Sequence, residues 1–329
     1  MFFSCKQQKE FVFLQVKNFE ETFSENISQK AKAKEENCKF MLTQFLINGI
    51  VTGILYSLLA VGFALVYNTT RLFHIVAAAI YVFAAYMFYL FAVTFGMPVL
   101  VATVVAIALT MGLSLLTDIA VYRPLRNRKA SNNVAMIASI GMMTVIVNLL
   151  AMFFGNETKV IDNTIHRSFT LGSVIITTPQ MWQLVVGGLV IAAFLVFIGM
   201  TSWGVRFRAL SADSVLYETM GYNTAHTRTF VFLMSGAFIA LASCLTVYDI
   251  GLDPHMGMNV LINAMVAMII GGVGRFGTCV LGGITLGILQ ALTVFQFSSN
   301  WQNAVTFVLL LILLFLRPQG IAGYKQRTV

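Results

Sequence analysis

The sequence predicts an all-α, polytopic membrane protein with eight to nine transmembrane helices arranged as an inverted repeat. The first observation is composition, because 58% of the 329 residues are hydrophobic and only 10% are charged. The second is that residues 41–329 hold only 21 Asp, Glu, Lys and Arg side chains, whereas soluble domains carry about 25% charged residues. Such a chain cannot cover a water-facing surface, so we expect membrane lipid around it. This composition excludes a disordered chain, a disulfide scaffold and a nucleic-acid-binding module.

The third observation is a series of charge-free windows long enough to cross about 30 Å of hydrocarbon. Six are uninterrupted, at residues 44–67, 72–95, 98–117, 134–154, 181–201 and 229–248. A further charge-free stretch, Phe276 to Leu316, is divided by the polar run Gln296–Gln302 and predicts helices at 279–295 and 302–316. The piece at 258–273 is shorter and rich in Gly at its end. It is either a ninth span or a re-entrant segment whose backbone other protein covers.

The distribution of Lys and Arg predicts the orientation of these spans. The loops 122–129 and 202–228 and the tail after Leu316 carry the positive charges, and short basic loops stay in the cytoplasm. The segment 155–180 and the turn Asp249–Asp253 are then external. With nine crossings, spans one to four and six to nine form two sets of opposite orientation around the fifth. Transporters built in this way place their substrate path between the repeats, often at discontinuous helices.

Residues 1–40 form a polar N-terminal extension that does not share this pattern. They contain seven Lys and six Glu and lack the apolar core of a signal peptide. Two interpretations stay open, a soluble, disordered tail or a chain whose translation begins at Met41, and the second is preferred because the recognisable pattern begins there. The transmembrane domain is accordingly 41–329.

The motifs that usually indicate chemistry are weak in this chain. The four Cys and four His residues are scattered without the spacing of a metal site, so neither a metal nor a cofactor is expected. The run Gly272-Val-Gly274-Arg-Phe-Gly277-Thr278 fits GxGxxG, but it lacks the Lys of a P-loop and the following acid of a dinucleotide site. It predicts a tight turn between membrane segments. Because no acid/base pair is visible either, the chain is not expected to be an enzyme.

Polar side chains inside the predicted spans are more informative, since each is costly in lipid unless it is paired or faces a cavity. They are Asn48, Thr52, Tyr56, Asn68, His74, Tyr81, Thr144, Asn148, Asn259 and Asn263. Asp118 is the only acid within a span, and it precedes the basic loop closely enough to pair with Arg123 or Arg126. Because carriers driven by protons or sodium usually need buried charges, an externally driven pore-forming protein is favoured.

The loop 202–228 predicts a short amphipathic cytoplasmic helix. Arg206, Arg208 and Asp213 alternate with apolar residues, and Gly221 stands where a helix would stop. Two interpretations remain: a helix that lies on the membrane surface, or a lever that docks into the groove of a partner protein.

Several of these residues together resemble the integral-membrane permeases of branched-chain amino acid ABC importers, a group that includes urea and short-amide permeases. The similar motifs, in chain order, are Asp118 with Tyr122-Arg-Pro-Leu-Arg126, Ser139-Ile-Gly141-Met, Arg208-Ala-Leu-Ser-Ala-Asp213 with Gly221-Tyr-Asn223, Gly271-Gly-Val-Gly274 with Gly282-Gly283, and Arg317-Pro-Gln-Gly-Ile321. The resemblance runs from about Met41 to Gly323. One departure is His74-Ile-Val-Ala-Ala-Ala79, where the family usually has N-F-A-H-G-E, and Asn263 stands where a Lys is often found.

The resemblance implies a function and a set of partners. The chain is expected to be a permease subunit in the cytoplasmic (inner) membrane that moves Leu, Ile, Val or a similar small solute. Its partners would be a second related permease, two cytoplasmic ATP-binding subunits and an extracytoplasmic solute-binding protein, without nucleic acid. A stand-alone channel or secondary transporter for a small amphipathic solute is the alternative.

Two groups of residues are predicted to carry this function. Solute contact is placed on the polar positions at the heads of the two discontinuous segments, His74, Tyr81, Asn259 and Asn263. Coupling to the ATPases is placed on the loop residues Arg206, Arg208, Asp213 and Gly221.

Overall fold

The computed structural model describes residues 39–128, 130–161, 168–171, 174–272, 274 and 276–316. The predicted extension 1–40, apart from its last two positions, lies outside the described residues, and so does the closing motif Arg317–Ile321. Within the described ranges the chain is predominantly helical, which confirms the predicted all-α class.

The helices follow one another along the chain as the charge-free windows predict. Their bounds are α1 Lys39–Thr70, α2 Ala77–Tyr89, α3 Val99–Thr117, α4 Arg123–Asn127, α5 Asn132–Phe154, α6 Thr178–Met200, α7 Ser202–Ala212, α8 Ser214–Thr219, α9 Thr224–Ile250, α10 Met256–Gly271, α11 Thr278–Gln296 and α12 Gln302–Leu316. Two π-helical stretches, Leu90–Thr94 and Asp118–Tyr122, extend α2 and α3, and a 3₁₀ turn, Ser299–Trp301, precedes α12. Strands β1 Ser168–Leu171 and β2 Val174–Thr177 pair antiparallel.

Among the described residues, seven helices are long and apolar enough to cross a membrane. They are α1, α2 with its π-helical end, α3 with its continuation to Asn127, α5, α6, α9 and α11. The helices α10, with 16 residues, and α12, with 15, are shorter apolar helices. At 1.5 Å per residue α10 is about 24 Å long, so its length favours the broken-segment interpretation of 258–273.

Both α2 and α10 begin after an irregular piece of backbone. The sequence predicts a helix from residue 72, but α2 begins at Ala77, because Arg71 adopts a left-handed conformation with φ 56° that ends α1. Before α10, Gly251 has φ 91°, a value that Gly tolerates best, and ends α9. The two helix heads therefore follow breaks in the chain, as the hypothesis of discontinuous segments requires.

Small residues bring the long helices into close contact. The Ser57 hydroxyl of α1 donates a hydrogen bond to the carbonyl oxygen of Val280 in α11, at 2.8 Å. The Ser114 hydroxyl of α3 donates to the carbonyl oxygen of Phe232 in α9, and that of Ser235 in α9 donates to Gly62 in α1, both at 2.7 Å. Such close approaches need small side chains at the contact. Because lipid is as apolar as the helix surfaces, the helices associate through close packing and hydrogen bonds of this kind.

Helix packing follows the same order in the two predicted sets of four. In the first set α2 packs against α3 and α5, and in the second set α10 packs against α11 and α12. Between the sets, α3 contacts α9, while the glycines of α1 contact α11 at Ile284 and Gly287. The helices α2 and α10 also contact each other. The two sets therefore share this order of contacts, and the inverted repeat stays a prediction.

The predicted orientation can be tested by labelling introduced cysteines from outside intact cells. Cys244 and Cys279 are buried, so a chain with Cys5 and Cys38 replaced by Ser gives little background. We expect a membrane-impermeant thiol reagent to modify Val160→Cys, whose parent side chain is exposed beside the external loop, and to spare Arg128→Cys in the basic loop. Modification of position 128 in intact cells would reverse the orientation.

Candidate functional site

The heads of α2 and α10 meet between the middles of α1 and α9. A cavity of about 10 Å³ lies at this junction, and a space of that size holds one water molecule at most. Its lining is Leu59, Phe63, Ala77, Ala78, Tyr81, Ile239, Val260, Leu261 and Ala264. The junction is therefore apolar and closed to a solute in this conformation.

His74 lies in the irregular segment before α2 and is fully buried. Its Nδ1 lies 2.9 Å from the Tyr122 hydroxyl, which donates to the Ser139 hydroxyl of α5 at 2.9 Å. The Ser139 oxygen also accepts the backbone N–H of Val76 at 3.0 Å, next to the start of α2. The His74 Nε2 atom is buried without a hydrogen-bond partner among the described residues. His74 is thus part of a polar chain that fixes the head of α2.

Tyr81 lies one turn inside α2 and is also buried, against the cavity. Its hydroxyl forms a hydrogen bond with Thr246 of α9, and its carbonyl oxygen accepts the Ser243 hydroxyl at 2.7 Å. These contacts attach α2 to α9. Tyr81 also lines the small cavity at the junction.

Asn259 and Asn263 have different surroundings although both lie on α10. The Asn259 side chain is exposed, whereas that of Asn263 is 8% exposed. Asn263 donates to the Tyr56 hydroxyl at 3.4 Å and accepts from Gln290 of α11 at 3.1 Å. Of the four predicted path residues, Asn259 alone presents an exposed side chain.

Gln290 and Thr306 extend the polar network around Asn263, and sequence reasoning missed both. Gln290 Nε2 donates to the Thr306 hydroxyl of α12 at 2.7 Å, and its Oε1 accepts from Gln302 at 2.8 Å. Three of the four helices of the second set, α10, α11 and α12, are joined in this way. The signal available in the sequence was a single amide in the middle of an apolar span, which lipid tolerates only when it is paired.

The segment 202–223, which is predicted to be cytoplasmic, folds as two short helices where the sequence predicts one. Asp213 separates them, because its carboxylate Oδ1 accepts the backbone N–H groups of Val215 at 2.8 Å and Leu216 at 3.1 Å and so caps α8. Gly221 has φ 83° and lies just beyond α8. The predicted helix stop is confirmed, and the cap at Asp213 accounts for the extra break.

The two predicted arginines of this segment differ in their contacts. The Arg206 guanidinium lies over the rings of Trp203, at 4.8 Å, and Tyr222, at 5.5 Å. Arg208 has an exposed side chain. The basic residue that ties α7 to the membrane helices is Arg71, whose Nη2 donates to the carbonyl oxygen of Ser211 at 2.8 Å.

The exposed face of α8 and of the residue that follows it is apolar, although this segment is predicted to be cytoplasmic. Val215, Leu216 and Met220 are 70%, 59% and 67% exposed. On the opposite side, Tyr217 is buried and its hydroxyl lies 3.0 Å from the Thr227 hydroxyl of α9. The helix is therefore held on the membrane domain by one side and presents an apolar surface on the other.

Asp118 has the partner predicted for it. Its Oδ1 lies 3.8 Å from Arg126 Nη1, and its Oδ2 accepts the Thr229 hydroxyl of α9 at 3.3 Å. The described residues contain no group of three or more His, Cys, Asp or Glu that could hold a metal ion.

Comparison with known proteins gives consistent matches. Residues 45–314 match the family model described as "Branched-chain amino acid transport system / permease component". The high-affinity branched-chain amino acid transport system permease protein LivH of Escherichia coli (strain K12) is 27% identical over 86% of this chain and 96% of its own length. BraD of Pseudomonas aeruginosa, with the same description, is 26% identical over 86% of this chain and 96% of its own length.

One solved structure has a similar fold. It is described as PsaBC from Streptococcus pneumoniae in complex with Fab, and the matched chain has a TM-score of 0.50 and 14% sequence identity. The match covers 84% of this chain and 92% of that one. At this identity the likeness concerns the fold, which extends over nearly the whole membrane domain.

Proposed function

Since the chain belongs to the family of branched-chain amino acid transport system permease components, we propose that it is the permease subunit of an ABC importer. It moves branched-chain amino acids, or a similar small solute, across the cytoplasmic (inner) membrane. The observation that carries this proposal is the family match over residues 45–314. A stand-alone channel or secondary transporter is not favoured, because the relatives are described as permease components of transport systems.

The importer obtains its energy from cytoplasmic ATPases and its solute from an external binding protein. The exposed apolar face of α8 supports an ATPase contact, because a solvated helix gains nothing from three neighbouring apolar side chains unless another surface covers them. Two ATP-binding subunits, one for each permease, complete the assembly. Uptake into vesicles that contain the full complex should require ATP and the binding protein. ATP-independent uptake would support the channel alternative.

A second permease subunit is supported by the exposed face of α5. Thr144 and Asn148 lie near the middle of this span with exposed side chains, and each bonds only to a backbone carbonyl one turn earlier. Gly141 is exposed on the same face, where the added Cβ of a larger residue would meet no atom. Polar groups at this depth are costly in lipid. We place the second permease against this face.

Cross-linking tests the position of the second permease. Replacing Thr144 with Cys should give a disulfide or bis-maleimide cross-link between permease subunits in the assembled complex. Leu189→Cys on α6 is the matched control, because the Leu189 side chain is 66% exposed and apolar, as expected for a residue that faces lipid. Equal cross-linking from both positions would mean that the α5 face is not the subunit interface.

The solute path runs, in this proposal, between the heads of α2 and α10. Two halves of opposite orientation place their discontinuous helices together near the bilayer midplane, and the shared order of helix contacts supports that arrangement here. Asn259 is the first polar group a solute meets. His74, Tyr81 and Asn263 become accessible only when the closed junction separates, so they contact solute in another state of the transport cycle.

Substitution of the four path residues should change uptake without loss of the complex. We expect Asn259→Leu, Tyr81→Phe, His74→Gln and Asn263→Leu to change solute uptake or selectivity by about fivefold each, the effect of one net hydrogen bond of ~1 kcal/mol. Thr103→Val is the control, because the Thr103 hydroxyl bonds only to the Val99 carbonyl oxygen of its own helix. Unchanged transport in all four variants would remove these residues from the path.

A further inference from the structure

A continuous series of contacts joins the cytoplasmic segment to the head of α2, and it passes through the π-helical stretch Asp118–Tyr122. The series begins at α8, whose Glu218 carboxylate accepts the Thr224 hydroxyl of α9 at 2.7 Å. The Tyr217 contact with Thr227 is a second attachment of α8 to the first turns of α9. Any displacement of α8 by an ATPase therefore acts directly on the start of α9.

The start of α9 is in turn attached to Asp118. Thr229, one turn further along α9, donates to the Asp118 carboxylate, which Arg126 approaches from the basic loop. Arg228 interacts electrostatically with both Glu218 and Asp118. The side chain of Asp118 is 1% exposed, so a movement of α9 reaches it through packed atoms and is not absorbed by solvent.

The other end of the stretch is attached to the candidate solute path. Tyr122, also 1% exposed, carries the hydroxyl that joins His74 to Ser139. Its ring stacks on Phe232 of α9 at 5.5 Å, and the His74 ring meets the same Phe232 ring at 5.3 Å. The five-residue stretch thus contacts the start of α9 through its first residue, Asp118, and the head of α2 through its last, Tyr122.

The π-helical backbone of Asp118–Tyr122 is consistent with a segment that changes conformation. A π-helical turn inside an α-helix is uncommon and occurs frequently at functional sites, because it can return to α-helical bonding with a change of register. Both ends also hold buried polar atoms without hydrogen-bond partners among the described residues, Asp118 Oδ1 with Arg126 Nη1, and His74 Nε2. A buried polar atom without a hydrogen bond costs free energy, so an arrangement of the stretch that gives these atoms hydrogen bonds would be favoured.

We propose that the π-helical stretch Asp118–Tyr122 transmits movement of the coupling segment to the head of α2. Asp118 receives the movement from α9, and Tyr122 delivers it to His74 and Ser139. Both are positioning residues, since neither needs to touch the solute or ATP. The inference rests on the proposed function.

The test uses the complete importer, with its partner subunits and binding protein, reconstituted in proteoliposomes. The measurement is the number of solute molecules taken up for each ATP hydrolysed. Tyr122→Phe keeps the ring stacked on Phe232 and removes the hydroxyl, and Asp118→Asn removes the charge. We expect each variant to lower this ratio about tenfold, within the range usual for coupling between sites. The ratio of the double variant should be no lower than that of the single variant with the lower ratio, because the two residues act in series.

Two further variants separate transmission from a structural role. Asp118→Glu keeps the carboxylate and should restore most of the ratio. Thr110→Val on α3 should leave the ratio unchanged, because the buried Thr110 hydroxyl bonds only to the Ala106 carbonyl oxygen of its own helix. Independent, multiplicative losses in the double variant would overturn the proposal, as would a loss of assembled complex with the ratio unchanged. A wild-type complex that takes up no solute with ATP would instead contradict the proposed function.

Discussion

Replacing Leu216 of α8 and Met220, the residue just after it, with Ser is expected to abolish most ATP-driven uptake while the permease still inserts and folds. The two side chains are 59% and 67% exposed, so their removal costs the isolated subunit little. In the importer they would lie against an ATPase, where apolar residues at the centre of an interface are each worth about 2 kcal/mol or more. Loss of both should weaken ATPase binding by two to three orders of magnitude, at roughly tenfold for each 1.4 kcal/mol.

The matched control exchanges the two residues, as Leu216→Met with Met220→Leu, and preserves the apolar surface. Co-purification of the ATPase and solute uptake are both measured. Asp213→Ala adds a test of the helix itself, since loss of the cap costs about 1 kcal/mol and Asp213→Ser, which also caps, should restore coupling. If the Ser pair keeps full uptake, α8 is a surface helix and the ATPase docks elsewhere.

Replacing Gly282 with Ala is expected to destabilise the folded membrane domain strongly. A Cβ atom at Gly282 would lie 2.6 Å from the backbone nitrogen of Gly271 and against the carbonyl oxygen of Ala267. Both atoms belong to the backbone of α10, so relief requires α10 and α11 to separate. Overpacking of this kind typically costs 1–3 kcal/mol or more, a substantial part of a total stability of about 5–15 kcal/mol.

Thermal unfolding in detergent and the amount of folded protein in membranes measure this effect. Gly112→Ala on α3 is the matched control, because a Cβ atom there meets no other atom within 4 Å. We expect the control to equal the wild type or to exceed it slightly, since Ala has the higher helix propensity. An equally stable Gly282→Ala variant would mean that α10 and α11 are packed less closely than described.

Asp118 and Asn263 show what sequence reasoning could reach at the candidate site. Asp118 was predicted to pair with Arg123 or Arg126 because it stands within helical reach of the basic loop, and the pair with Arg126 is present. Asn263 was recognised as a costly polar group. Its partners Tyr56 and Gln290 lie 207 and 27 positions away, and no local pattern indicates which distant residue will meet an amide.

The sequence by itself determined the membrane class, the order and approximate bounds of the spans, and the family. These follow from hydrophobicity and charge, because both are properties of single residues and can be summed over any window long enough to cross a bilayer. The breaks before α2 and α10 and at Asp213 were decided by local backbone conformation in the folded chain, at Arg71, Gly251 and the Asp213 cap. Only the tertiary structure decided that the two helix heads meet at a closed junction, and that Tyr122 joins His74 to Ser139. Those contacts depend on which helix faces pack together. In lipid, steric fit and hydrogen bonding between segments far apart in sequence decide that packing.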